Sequence, residues 1–258
     1  MDPFVTLMRE YDDRVTTTAE YYDTYWSEGG AGYVGRESDA VAEVFARFAS
    51  KGADTDVLDI GCGDGRVAGP YMQAHARSYV GVDVSAAAVE RARSLGLDAR
   101  VIEDAAVLPF ASASFDLVLC FEVFEHLFRT EEAAAEILRV LRPGGHAVIQ
   151  VPNAAHWRAR ADLALLGRFS PLGDQESGTR PWRDPHIRFF TLDSLAGLMR
   201  QVGLRVVERS GGGVTPLLDL PFLRDRVTDR AAGPVATALM RHRPELFANR
   251  IRVVVTHP

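Results

Sequence analysis

Val57-Leu58-Asp59-Ile60-Gly61-Cys62-Gly63-Asp64-Gly65 decides how the rest of the chain is read. A short apolar strand runs into three glycines at every second position. Glycine lets the backbone turn sharply there, and lets another group approach where a Cβ would clash. Outward from this turn, short apolar runs alternate with helical periodicity. Asp56–Ile60, Tyr79–Val82, Arg100–Ile102, Phe115–Phe121 and Ala147–Val151 read as strands. A helix is expected from near Gly65, another from the cap Ser85 to about Leu95, and a third from Thr130 to Leu141, stopped by Pro143-Gly144-Gly145. Alternating strands and helices imply an α/β fold: a doubly wound, mostly parallel sheet, here of seven strands, with helices on both faces.

The flanks are less regular. Residues 1–55 carry a Tyr-rich stretch (Tyr21, Tyr22, Tyr25, Trp26), then glycines, then Val41, Val44, Phe45 and Phe48 at helical spacing. These read as N-terminal helices and a lid, with core packing as the rival role. Residues 56–151 form the regular core. Residues 152–190 mix aromatics and arginines and read as an inserted cap of one helix and a long loop. Residues 191–258 return to the sheet, with Thr191 capping a helix to Val202 and strands at Leu204–Glu208 and Arg250–Thr256. The expectation is one domain over 1–258.

Composition narrows the class. Of 258 residues, 47% are hydrophobic and 25% charged, which suits a soluble globular chain. The net charge of −6 argues against a nucleic-acid partner. No apolar run approaches the ~20 residues of a membrane span. Cys62 and Cys120 make no disulfide framework, so a reduced cytoplasm with free, buried thiols is expected. Lys51 is the one lysine among many arginines, a usage typical of a GC-rich bacterial genome.

The G-x-G-x-G spacing differs from the G-x-G-x-x-G of dinucleotide sites and favours an adenosyl amino acid. Asp83, in Gly81-Val-Asp-Val-Ser85, ends a strand about twenty residues after the turn, where an acid can accept from both ribose hydroxyls. A helix-capping Asp is the plainer alternative. Asp104, after the third strand, can accept from an adenine amino group, or be a solvated loop acid.

Taken in order, Asp59 to Gly65, Asp83, Asp104, Phe115-Asp-Leu-Val-Leu119 and Leu141-Arg-Pro-Gly-Gly145 resemble the motif set of class I S-adenosylmethionine-dependent methyltransferases. The resemblance covers Val57 to Val151. It implies a Rossmann-like fold and S-adenosylmethionine as cofactor. Gly61 and Gly63 would lie on the methionine part, Asp83 on the ribose and Asp104 on adenine, with Asp59, Val84, Ala105 and Phe121 completing the site.

Phe121-Glu122-Val-Phe-Glu125-His126-Leu127 follows the fourth strand. On one helical turn Glu122, Glu125 and His126 would share a face. Two carboxylates and an imidazole are a partial ligand set for a divalent metal such as Mg²⁺ or Mn²⁺. The E-x-x-E-H pattern also resembles O-methyltransferases of the ubiquinone pathway and enzymes that methylate terminal ribose on small RNAs. The second resemblance implies a further histidine, and His186 stands at a similar place. Catalysis by His126 as base without metal, with Glu125 and Glu122 orienting it, stays open, as does a structural role. His156 is a candidate for the substrate mouth.

Trp157, Arg158, Arg160, Arg168, Phe169, Trp182, Arg183 and Arg188 would face a substrate or form a solvated cap. The tail resembles bacterial glycan methyltransferases. The expected function is therefore metal-assisted O-methylation of a sugar hydroxyl on a small-molecule or oligosaccharide substrate, in a possible homodimer. A metal-free N-, C- or phenol O-methyltransferase is the alternative, and a non-catalytic cofactor-binding protein a remote one.

Overall fold

The computed structural model describes residues 17–27, 34–49, 51–169, 185–212 and 238–258. Seven strands form one sheet in the order β3-β2-β1-β4-β5-β7-β6. They are β1 Asp56–Ile60, β2 Ser78–Asp83, β3 Ala99–Val101, β4 Phe115–Phe121, β5 Leu141–Pro152, β6 Arg205–Gly212 and β7 Arg250–Thr256. β1 pairs parallel with β2, and β2 with β3. β7 runs antiparallel to both β5 and β6. The expected α/β architecture is therefore present, with β7 as the reversed strand. The chain packs as two compact units, one within residues 1–119 and 140–145, the other within 120–139 and 146–258.

The first unit holds helices α1 (Thr18–Ser27), α2 (Val34–Phe48), α3 (Gly69–His75) and α4 (Ala86–Ser94). β1 is buried along its length, and β2 at all but its first residue. Both read as continuous apolar strands for that reason. Full burial of Leu58, Ile60, Leu117 and Leu119 contributes about 1.5–3 kcal/mol per side chain. Ser85 caps α4 by accepting from the Ala88 N–H, as its position predicts. The helix after the glycine turn begins at Gly69, not near Gly65. Gly61, Gly63 and Gly65 have φ of +73°, +54° and +78°, which a right-handed helix cannot include.

An ion cluster ties this unit together. Arg142 Nη1 lies 2.9 Å from Asp56 and 2.6 Å from Asp116, Lys51 Nζ is 2.8 Å from Asp116, and Arg77 and Ser78 also bond Asp56. These partners hold the Asp56 carboxyl well below its usual range, Arg77 foremost.

Helix α5 (Thr130–Val140), all but its last residue in the second unit, buries Ala133, Ala134, Ile137 and Val140 at helical spacing. β5 follows at once from Leu141, earlier than the expected Ala147. The helix ends at Val140, and the Pro-Gly-Gly triple lies inside β5, where Gly144 takes φ +76° and a Cβ at Gly145 would sit 2.9 Å from the Arg142 carbonyl oxygen. Then come α6 (Trp157–Leu166), α7 (Leu192–Gln201) and α8 (Pro244–Phe247). Thr191 and Ser194 form a capping box on α7, which buries Leu192, Leu195, Ala196 and Met199. β6 runs on to Gly212 past the expected Glu208, with an irregularity between Val206 and Glu208. Trp182 and Arg183, with the rest of 170–184, lie outside the described residues. No described helix is long and apolar enough to cross a membrane.

Candidate functional site

The first unit carries the expected cofactor residues. The Asp83 carboxylate, at the end of β2, accepts from the Gly63 N–H at 2.8 Å and the Ser85 N–H at 2.9 Å. It thereby fixes the glycine turn against the start of α4. Burial raises its pKa, opposed by those two N–H groups and that of Val84. Each carboxylate oxygen has two acceptor sites, so capacity for ribose hydroxyls remains. Asp59 is 5% exposed and accepts from the Tyr79 hydroxyl at 2.9 Å. Burial pushes its carboxyl up to about 7, with the charge of Asp83 adding to the effect. Asp104 is half-buried and accepts from the Ala106 N–H at 2.8 Å, closing a tight turn that buries Ala105.

Two residues of α1 join this cradle. Asp23 accepts from the Ser85 hydroxyl at 2.5 Å and the Ala87 N–H at 3.1 Å, at the N-terminus of α4, where a carboxylate is favoured. The ring of Trp26 lies against Gly63, 2.6 Å from where a Cβ would be. The crowding that demands glycine at 63 is thus from Trp26. Sequence reading placed Trp26 in a lid and missed Asp23, whose partners are more than sixty residues away.

The second unit carries the Glu/His cluster. Glu125 and His126 lie on a 3₁₀ turn, Phe124–His126. Glu125 is 2% exposed, and among the described residues neither carboxylate oxygen has a hydrogen-bond partner. His126 Nε2 is 3.7 Å and His186 Nε2 3.9 Å from its Oε1. The two imidazole rings are 4.6 Å apart. These three residues offer ligand atoms within 4.8 Å of one another. The strip 185–190 is stitched to the turn: Ile187 and Arg188 N–H donate to the Glu125 carbonyl, and the Pro185 carbonyl lies 3.2 Å from His126 Nδ1. Burial, then the charge of Glu122, drives the Glu125 carboxyl well above the usual range, and Arg250 opposes this.

Glu122 departs from expectation. Its φ is +56°, so it is not on a helical turn with Glu125 and His126. It stands outside the three-residue group, paired with Arg250 at 3.3 Å and accepting from Gln150 Nε2 at 3.3 Å. Arg250 and Gln150 were not legible in the sequence, since nothing local marks them. Phe121 ends β4 beneath the Arg252 guanidinium, 5.9 Å from its ring centre. His156 is buried as the N-cap of α6, accepting from the Arg158 N–H. Arg158 pairs with Asp162, and Arg160 bonds the Ala155 carbonyl. Phe169 meets Phe189 edge to face. Cys62 and Cys120 are buried and not joined in a disulfide.

A buried carboxylate without hydrogen bonds is costly unless it is protonated or takes a cation. The donor set, one carboxylate oxygen and two imidazole nitrogens, fits a divalent ion such as Mn²⁺.

Comparisons with known proteins place this chain in a family. The chain matches the family described as a methyltransferase domain over residues 33–209. A probable S-adenosylmethionine-dependent methyltransferase of Mycolicibacterium smegmatis is 40% identical over 173 residues, covering 66% of this chain and 65% of that protein. The chain therefore spans slightly less than two thirds of that relative. A ubiquinone biosynthesis O-methyltransferase of Parvibaculum lavamentivorans is 30% identical over 193 residues, covering 72% of this chain and 73% of that one. Among solved structures, the complex between the Haloferax volcanii Trm112 methyltransferase activator and the putative methyltransferase contains a chain of the same fold. It matches at TM-score 0.62 and 20% identity, covering 94% of this chain and all of that one. The chain belongs to the methyltransferase-domain family and has the Rossmann-like α/β fold of its structural neighbours.

Proposed function

We propose that this enzyme methylates a hydroxyl oxygen of a small-molecule acceptor, a vicinal diol of a sugar, with Glu125, His126 and His186 holding a divalent cation, Mg²⁺ or Mn²⁺. The observation that carries this reading is the buried Glu125 carboxylate, both oxygens without a hydrogen-bond partner among the described residues, faced by two imidazoles. Support comes from relatives named as O-methyltransferases.

S-adenosylmethionine supplies a methyl group already activated on a sulfonium. The carbon–sulfur bond breaks as the carbon–oxygen bond forms, S-adenosylhomocysteine leaves, and the hydroxyl proton goes to a base. Asp83 and the glycine turn would hold the donor's ribose and methionine parts, and Asp104 its adenine. A divalent cation would supply Lewis acidity, which lowers the pKa of a hydroxyl. Two adjacent hydroxyls give such a site a defined reacting oxygen, and hence the preference for a diol. In this reading 1–258 is a single methyltransferase domain: 1–55 acts as lid, 56–151 as cofactor core and 152–190 as acceptor cap, while 191–258 completes the sheet.

One arrangement favours a second reading. His126 lies between the Pro185 carbonyl at Nδ1 and Glu125 at Nε2, a setting that orients an imidazole as a metal-free base. Calorimetric titration with Mn²⁺ separates the two. The first reading expects binding by the wild-type protein and its loss in Glu125→Gln. No binding by the wild-type protein leaves the His126 base as the function of the cluster.

A further inference from the structure

Glu122 is one of two non-glycine residues with positive φ among the described residues, the other being Ala113. A long side chain adopts that conformation only where its surroundings hold it, and such positions concentrate at functional sites. The restraints on Glu122 are visible. Its N–H donates to the Gln150 carbonyl at 2.9 Å. Its Oε1 accepts from Gln150 Nε2, and its Oε2 lies 3.3 Å from Arg250 Nε. Gln150 is itself 4% exposed and fixed by Arg252, whose Nη2 donates to its Oε1 at 2.8 Å. Gln150 and Arg252 are register partners across β5 and β7, and Arg250 pairs with Pro152 two residues on. Both anchors of Glu122 therefore come from one antiparallel ladder.

The consequence lies just downstream. From Glu122 the chain enters the turn closed by His126 N–H to the Val123 carbonyl at 2.9 Å, and Glu125 receives the 187–188 amides. A carboxylate already committed to a guanidinium is a poor cation ligand, since it must give up that partner and leave Arg250 beside the ion. We propose that Glu122 is a positioning residue, locked by Arg250 and Gln150 into a left-handed conformation that sets Glu125 and His126 against His186, and that it gives no ligand atom to their site. This rests on the reading of Glu125, His126 and His186 as the working cluster. It runs against the spacing of E-x-x-E-H, which by itself makes Glu122 a ligand.

Glycine takes φ +56° without strain, so Glu122→Gly removes the carboxylate but keeps the turn, whereas Glu122→Ala removes both carboxylate and restraint. The test compares Glu122→Gly, Glu122→Ala, Arg250→Met and Arg250→Lys by hydrogen exchange of the His126 and Ile187 amides and by Mn²⁺ calorimetry. Glu122→Ala and Arg250→Met should speed exchange at both amides and weaken Mn²⁺ binding by about tenfold, Arg250→Lys should recover much of the loss, and Glu122→Gly should stay within about threefold of wild type. Equal weakening in Glu122→Gly and Glu122→Ala, with both amides unchanged, makes Glu122 a ligand and overturns the proposal. Absence of Mn²⁺ binding by wild type sinks the metal reading alone. Amide exchange then decides: unchanged protection in Glu122→Ala and Arg250→Met overturns the positioning role, and faster exchange sustains it.

Discussion

At the scale of single residues, two carboxylates of the cofactor half have opposite duties. Asp83 accepts from the Gly63 and Ser85 amides and keeps acceptor capacity beyond them. Each charge-assisted hydrogen bond lost is worth roughly 1.5–3 kcal/mol. Asp83→Ala should therefore weaken S-adenosylmethionine binding by at least about tenfold in a calorimetric titration. Unchanged affinity would place the ribose elsewhere. Asp59 faces inward, bonded to Tyr79, its carboxyl raised to about 7 chiefly by burial. The folded protein then holds a proton there that the unfolded chain releases above about 4. Its stabilising contribution is complete below that lower value and is lost as pH rises through about 7. Urea midpoints of the wild type should fall between about pH 5 and about pH 8, while Asp59→Asn should lose this component of the slope. Parallel profiles for the two proteins would contradict the assignment. The sequence made both acids visible because they sit at strand ends beside a glycine turn. Their different partners, backbone amides for Asp83 and the Tyr79 hydroxyl for Asp59, were not visible, because they depend on the fold.

At the scale of elements, α1 is held by a polar pin and an aromatic face. Asp23 caps the start of α4, and Trp26 covers Gly63. Asp23→Ala should raise amide exchange across Thr18–Ser27, leave β1 and β2 protected, and speed cofactor release several-fold in stopped-flow fluorescence. An unchanged release rate would reduce α1 to a packing element. The E-x-x-E-H segment shows where element-level reading fails. Spacing of i, i+3 and i+4 implies a shared helical face, but the left-handed Glu122 and the short 3₁₀ turn rearrange it. That conformation is imposed by Gln150 and Arg250, 28 and 128 residues away in the chain. The same limit explains β5, whose Pro-Gly-Gly start reads as a break although the strand begins at Leu141.

At the scale of the molecule, the fold was legible because local signals agree: buried strands, a glycine turn, capped helices and a buried stripe on helices such as α5 and α7. The reversed strand β7 was not, since antiparallel pairing of Arg250–Thr256 with both β5 and β6 leaves no mark on an apolar strand. Membership of the methyltransferase-domain family supports a methyl-donor chemistry for the proposed reaction. The identity of the acceptor rests on the Glu125–His126–His186 cluster. The most direct test is transfer of an isotopically labelled methyl group from S-adenosylmethionine to a panel of sugars, catechols and amines, with and without EDTA. The account predicts labelling of a vicinal diol that EDTA abolishes, that Mn²⁺ or Mg²⁺ restores, and that Glu125→Gln cuts by orders of magnitude while cofactor affinity holds. Full labelling in EDTA, or labelling of amines alone, would contradict it.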